Sequence, residues 1–407
     1  MRNKLIERIF KDTAYVRVGG SAQEKECAQY LIDVCKEVGA QAYIEEFPVA
    51  MADISEAVLE IDGKSITCKG YKNCGSHDVS AELYYLRATD PRSLALCKGK
   101  IVLIDGYLGY WKYKDITENG AIGFITYDGS VNYADRDIDQ RELRTYISEG
   151  VKIPGVSINV KDAVALVKAG AKNARIRIEQ NEYEGTSQNV IVDLKGESDR
   201  TIAFTAHYDS TSLSTGAYDN MSGCVGLIGM IEYFSKRYHR HNLKFIFCGS
   251  EERGLLGSKA YCEAHADELD GIDLVINLDM IGCTMGKFIA CCTTEKNLVS
   301  YIECFGAERG FQVAPYQDVY SSDSTPFADK GVPAVSFARS SPPSAATIHN
   351  SYDTLKIIRT KQMVDDIDFI TAFTERMANA VYCPVLREIP ENIKTKLDEY
   401  LLRKRKK

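Results

Sequence analysis

No stretch of this 407-residue chain stays apolar over the ~18 residues that a membrane-spanning helix needs, which argues against a transmembrane segment. The first residues, Met-Arg-Asn-Lys-Leu-Ile-Glu-Arg-Ile-Phe, break their apolar positions with charges and lack a secretory signal core, so a cytoplasmic chain is expected. The 13 cysteines are odd in number and include no Cys-x-x-Cys pair. Several of them (Cys224, Cys248, Cys304) fall in apolar helix or strand patterns, so reduced core residues are expected rather than a disulfide framework. Positive charge is also short: 50 Lys and Arg face 57 Asp and Glu, and the net charge of −7 argues against a nucleic-acid platform. Neither His-Glu-x-x-His nor Gly-x-Ser-x-Gly occurs, which leaves Ser222 without a nucleophile's context. Gly63-Lys64-Ser65 invites a phosphate-loop reading, but the glycine needed five residues earlier is Val58. There is no internal repeat and no low-complexity segment.

What is present describes a globular protein: 45% hydrophobic and 26% charged residues over a length that suits about two or three domains. Apolar residues at helical spacing (Cys27, Tyr30, Leu31, Val34, Cys35, Val38) predict a helix from Ala22 to Val38, capped by Gly39 and followed by an extended run to Val49. From Ala52 to Tyr183 short strands alternate with glycine-rich loops, and one helix reads clearly at Lys161 to Ala169. This stretch predicts a β-rich insert. From Gln188 onward strands and helices alternate, which predicts an α/β domain with a mixed, largely parallel sheet flanked by helices. The expected division is a catalytic α/β domain at 1–51 and 184–407, with an inserted module at 52–183.

Carboxylates and imidazoles stand at the ends of these strands. His207 and Asp209 follow the run from Ile202 to Ala206, Glu251 and Glu252 follow Leu243 to Cys248, and Asp279 follows Leu274 to Leu278. Asp219 lies in the glycine-flanked turn Gly-Ala-Tyr-Asp-Asn-Met-Ser-Gly, and His349 lies in a polar loop before Asp353. Taken singly, each has an ordinary reading: a helix N-cap for Asp219, a solvated turn for the glutamates, a surface position for His349. Together they suit bound divalent cations, because charge at the edge of a core is costly unless paired or metal-bound. Asp219, Glu252 and Asp279 bring three negative charges, and a hydroxide would bring the fourth that balances two divalent cations. His207 and His349 would complete the two shells as neutral ligands, and Glu251 would remain free as general base. Asp209 reads either as a ligand or as a group that orients one.

These segments resemble the di-zinc aminopeptidases related to aminopeptidase Y, in which a His-x-Asp, a Gly-Ala-x-Asp-Asn-x-Ser-Gly turn, a Glu-Glu pair, an Asn-x-Asp and a late Ile-His occur in this order. The resemblance spans roughly 184–355, together with the helix and strand from Ala22 to Val49. It implies a zinc-dependent exopeptidase fold that acts on peptide substrates. His207 and Asp279 would hold one Zn2+, Glu252 and His349 the other, and Asp219 both. Glu251 would be the catalytic base, and Asp209 would act on the orientation of His207. The stretches Lys98–Asp105, Gly120-Ala-Ile-Gly-Phe-Ile and Ile153-Pro-Gly-Val-Ser-Ile resemble landmarks of a protease-associated (PA) domain. One departure stands out: Ser324 occupies the place of a frequent histidine after Asp323, and Tyr320, nearest to the family's intermediate-stabilising tyrosine, is one residue out of register. Related carboxypeptidases and dipeptidases share such sites, and a non-catalytic peptide-binding protein on the same fold is the alternative from another class.

Overall fold

The computed structural model describes residues 2–105, 107–130 and 137–406. Two compact units emerge, one of residues 1–48 with 186–407 and the other of 49–185. The long strands Ala42–Ile61 and Asn173–Leu194 carry the chain between them.

In the larger unit the strands are β1 (Asn173–Leu194, of which the C-terminal part belongs here), β2 (Thr201–His207), β3 (Asn242–Cys248), β4 (Ile272–Leu278), β5 (Lys287–Thr293), β6 (Ala314–Gln317) and β7 (Ala334–Ser340). They lie in the order β6-β5-β7-β4-β2-β3-β1. β2 runs parallel to both β3 and β4, β4 parallel to β7, and β5 parallel to β6; β1 and β5 meet their neighbours β3 and β7 antiparallel. The sheet is therefore mixed and largely parallel, as the alternating pattern predicts.

Helices cover both faces, which is why the strands are apolar at nearly every position rather than at alternate ones. The helices are α1 (Arg2–Asp12), α2 (Ala22–Glu37), α3 (Ser222–Phe234), α4 (Leu256–Ala264), α5 (Lys296–Arg309), α6 (Ser324–Asp329), α7 (Thr360–Asn379) and α8 (Glu391–Tyr400). Phe204, Phe245 and Leu274 point into a core shared with α1, α2, α3, α5 and α7. Their strand neighbours Ala203, Ile246 and Val275 point to the other side, where Tyr261, Phe327, Ile393 and Leu397 from α4, α6 and α8 close the second core. At one point backbone packs directly on backbone: a Cβ on Gly223, in the first turn of α3, would lie 2.3 Å from the carbonyl oxygen of Leu278 at the end of β4. Only glycine fits there.

In the smaller unit, the first half of β1 pairs antiparallel with His77–Leu86. Ile101–Ile104, Gly123–Asp128 and Gly155–Asn159 follow in parallel succession, and Cys68–Gly70 closes the edge antiparallel. Besides Val160–Ala169, this unit holds helices at Pro91–Ala95, Tyr110–Glu118 and Thr145–Ser148. Three helices thus join the single one read clearly from the sequence. Two are too short to show a period, and Tyr110–Glu118 buries only Tyr110, Tyr113 and Ile116. α1, α6 and α8 of the larger unit likewise lie outside the predicted set. No helix among the described residues is long and apolar enough to cross a membrane.

Candidate metal centre

Parallel strands place their carboxyl ends along one edge, where ligands of such sheets bind. His207 ends β2 opposite Cys248 of β3, so the Glu251–Glu252 turn that follows β3 starts beside it. Asp279 follows the last residue of β4. Asp219 comes from the turn Ala217–Met221 before α3, and His349 from the loop after β7. Asp219 is not a helix cap: α3 begins at Ser222, no side chain caps it, and Asp219 has φ −112 and ψ 90.

His207, Asp219 and Asp279 offer ligand atoms within 4.8 Å of one another, and so do Asp219, Glu252 and His349. Asp219 belongs to both groups, with Oδ1 3.0 Å from His207 Nε2 and Oδ2 3.0 Å from His349 Nε2. His207 Nε2 stands 3.8 Å from Asp279 Oδ1, and His349 Nε2 stands 3.1 Å from Glu252 Oε2. Donors around one tetrahedral zinc are about 3.3–3.5 Å apart, a consequence of bond lengths near 2.0–2.2 Å. The observed separations of 3.0 to 3.8 Å straddle that spacing. Asp279 Oδ1 is buried without a hydrogen-bond partner, a costly state for a carboxylate oxygen that a cation would relieve. The donor set fits a metal.

The electrostatics agree. Burial opposes charge on His207, yet Glu251, Asp209 and Asp219 raise its pKa well above the ordinary imidazole value. Burial works the same way on His349, and its hydrogen bonds to Asp219 and Glu252 lift it to about 11. Burial also opposes ionisation of Asp219, but the two imidazoles hold it below the usual carboxylate range. Burial and then Asp219 raise Glu252, burial and neighbouring carboxylates raise Glu251 well above its ordinary value, and burial with Asp219 raises Asp279 to about 7. The cluster gathers more carboxylates than its two imidazoles can balance, an excess of acidic groups that bound cations would offset. His207 is 1% exposed and His349 50%, so solvent reaches the cluster from the His349 side.

Glu251 lies outside both ligand groups, with Oε2 3.9 Å from His207 Nε2. Asp209 is fully buried, faces His207 Nδ1 at 3.4 Å, and accepts the backbone N–H groups of Glu251 and Glu252 at 3.0 and 3.2 Å. Asp353, read from the sequence only as a landmark after His349, accepts the N–H groups of Tyr218 and Asp219. Asn220 joins the same turn to β4, with Nδ2 donating to the Leu278 carbonyl and Oδ1 accepting from Met280 N–H. Ser324 is buried and meets Ser336 through their hydroxyls at 2.9 Å, while Asp323 accepts from the Ser258 hydroxyl at 2.6 Å. Tyr320 is half-buried, and burial followed by the charges of Asp279 and Asp219 raises its pKa well above the ordinary phenol value. Among the described residues, eight non-glycine positions have positive φ, and four of them (Ser250, Leu255, Met280, His349) belong to or border this cluster. Such strain persists where surrounding bonds over-determine the backbone, as at functional sites.

Two imidazoles and three carboxylates gather at the carboxyl edge of a largely parallel sheet, a donor set that suits divalent cations. Residues 189–374, which contain all of these side chains, match the family model described as Peptidase family M28. The chain is 27% identical to aminopeptidase YwaD of Bacillus subtilis over 400 residues, covering 94% of this chain and 84% of the relative. It is 28% identical over 281 residues to leucine aminopeptidase 2 of Arthroderma otae, of whose length it spans 54%. Among solved structures, an aminopeptidase from Aneurinibacillus sp. strain AM-1 superposes with a TM-score of 0.74 at 25% identity, covering 95% of both chains. The zinc aminopeptidase BSAP of Bacillus subtilis has the same fold, with a TM-score of 0.77 over 96% of this chain and 98% of that one at 24% identity.

Proposed function

We propose that the protein is a metallo-aminopeptidase that removes N-terminal residues from peptides, with two divalent cations, most fittingly Zn2+, and Glu251 as general base. The carrying observation is the double use of Asp219: its two oxygens face two different imidazoles, each in its own donor group. A single carboxylate shared in this way suits a bridge between neighbouring cations. His207 and Asp279 would hold one ion, and Glu252 and His349 the other. Nitrogen and oxygen donors near tetrahedral spacing suit zinc, and the relatives whose names specify an aminopeptidase support the reaction class. When bound, paired cations polarise a scissile carbonyl and lower the pKa of water.

The chain's own residues supply the rest. Glu251 stands beside the cluster without joining a ligand group, so it is free to take a proton from the attacking water and pass it to the leaving amine. Asp209 faces His207 Nδ1 at 3.4 Å, a charge that favours the ring orientation turning Nε2 toward the cluster, and it anchors the amides of both glutamates. Residues 1–51 and 184–407 form the catalytic domain in this reading, and 52–183 a PA-like insert. The strand sequence Ile101–Ile104, Gly123–Asp128, Gly155–Asn159 supports the latter, since its PA-like stretches overlap these strands. All thirteen cysteines are free thiols, which supports a reducing, cytoplasmic setting.

The test is hydrolysis of aminoacyl-p-nitroanilides with free and with acetylated amino termini, alongside metal analysis. The reading predicts cleavage of the free amines only, loss of activity with a chelator and its return with zinc. Bound metal without hydrolysis of any peptide or aminoacyl substrate would assign a binding role instead, and cleavage confined to carboxyl termini would assign a carboxypeptidase.

A further inference from the structure

The turn that carries Glu251 and Glu252 is held by two carboxylates from distant parts of the chain. Asp209 takes the N–H groups of Glu251 and Glu252. The preceding amide, Ser250 N–H, is taken by Glu24 Oε1 at 2.9 Å. Three consecutive amides of one turn therefore end on buried carboxylates. Glu24 is fully buried in the first turn of α2, and the same carboxylate accepts the Ser250 hydroxyl at 3.3 Å, the Ser187 hydroxyl at 2.9 Å and Gly20 N–H at 2.7 Å.

The turn needs such restraint. Ser250 has φ 53 and Leu255 has φ 62, left-handed conformations that a side chain disfavours, and Gly254 between them has φ 115. The segment before α2 is moulded to it: a Cβ on Gly19 would lie 2.3 Å from Ser250 Oγ, and the Gly19 carbonyl accepts from Arg253 Nη1 at 3.2 Å. Glutamate also has a local use here, because Ser21 caps α2 by accepting Glu24 N–H while the Glu24 side chain reaches back to Gly20 N–H. That local bond is made by Oε2, which also accepts the Ser187 hydroxyl, while Oε1 accepts Ser250 N–H, far away in sequence.

We infer that Glu24 is a positioning residue for the reaction: by fixing Ser250 it sets the direction in which Glu251 enters the site. The inference rests on the reading of Glu251 as general base. Glu252 is tied by its contact with His349 as well as by its amide, whereas the Glu251 side chain belongs to no ligand group. Loss of the Glu24 contact therefore acts on the base more than on the metal donors. Misplacing a reacting group by about 1 Å costs on the order of 10²-fold in rate.

The experiment compares metal-replete enzyme with Glu24→Ala, Glu24→Gln and Glu251→Gln, measuring kcat, KM and metal per chain. Glu24→Ala should lose ~10–100-fold in kcat with KM within about threefold and metal content unchanged. Glu24→Gln keeps an acceptor for Ser250 N–H and should restore kcat to within about threefold of the native enzyme. In the Glu251→Gln background Glu24→Ala should cost less than about threefold more, because groups acting as one unit are not additive. If Glu24→Ala does not fold, Glu24→Asp, whose shorter side chain withdraws from Ser250, is read by the same criteria. Native kcat in a folded, metal-loaded Glu24→Ala or Glu24→Asp enzyme overturns the inference, as does a loss seen only in melting temperature or metal content. A near-native rate for Glu251→Gln removes the general-base reading and the inference with it. An inactive Glu251→Gln beside a fully active Glu24→Ala removes the inference alone.

Discussion

The Asp353 carboxylate accepts the backbone N–H of Asp219 at 3.1 Å, and that of Tyr218 at 2.7 Å, so the loop that delivers His349 also holds the turn that presents Asp219. Side chain and backbone of Asp219 are thus tied to the same loop, one through His349 and the other through Asp353. Replacing Asp353 with Ala should weaken metal binding by ~10–100-fold, the usual cost of removing a group that orients ligands. A competition titration against a chelator measures this directly. Unchanged affinity in a folded Asp353→Ala protein would reduce Asp353 to a loop staple.

Glu251→Gln should preserve fold and metal content while cutting kcat by ~10²–10⁴, the range for a lost general base. Glutamine has nearly the same shape and cannot exchange the proton. Single-turnover kinetics on the metal-replete variant check the outcome, and a rate within a few-fold of native would remove Glu251 from that role.

A pH effect follows at a site remote from the cluster. His265, at the end of α4, lies 2.9 Å from Glu45 and 3.2 Å from Glu268. Burial lowers its pKa, but the two carboxylates outweigh burial and the net shift is upward. A raised imidazole pKa stabilises the fold fully below the unfolded value of ~6.5, and that contribution disappears as pH rises through the folded value. Denaturant unfolding should show His265→Gln destabilised by about 1 kcal/mol at pH 5.5 and by distinctly less at pH 9. An equal difference at both pH values would mean that packing on Tyr261, not charge, is what His265 contributes.

The sequence exposes the parts of this arrangement that lie along strands. His207, Glu251, Glu252 and Asp279 stand out because apolar strands end beside them, and a polar residue at the end of a buried run is conspicuous. Asp219 and His349 stand out only through the turn and the order of segments they share with a known family. Of the holding groups, Asp209 is legible beside His207, whereas the others are not. Glu24 sits in a helix pattern as an ordinary first-turn acid, and its partner Ser250 is 226 residues away. Arg17, outside every sequence motif, is fully buried, and its guanidinium donates to main-chain carbonyls including those of Tyr208, Thr215 and Gly216. Bonds from side chains to distant backbone leave no periodic trace. α8 leaves no pattern for a related reason: it buries only Ile393 and Leu397, too few positions to set a helical period against its charged neighbours.

The most direct measurement is the number and placement of metal ions in crystals of the native protein and of Asp219→Ala, by anomalous diffraction at the zinc edge. The account predicts two ions per chain, ~3.5–4 Å apart, on either side of the Asp219 carboxylate. It also predicts that both lose occupancy together in Asp219→Ala. A single ion in the native protein, or loss of only one ion in the variant, would contradict a shared aspartate bridge.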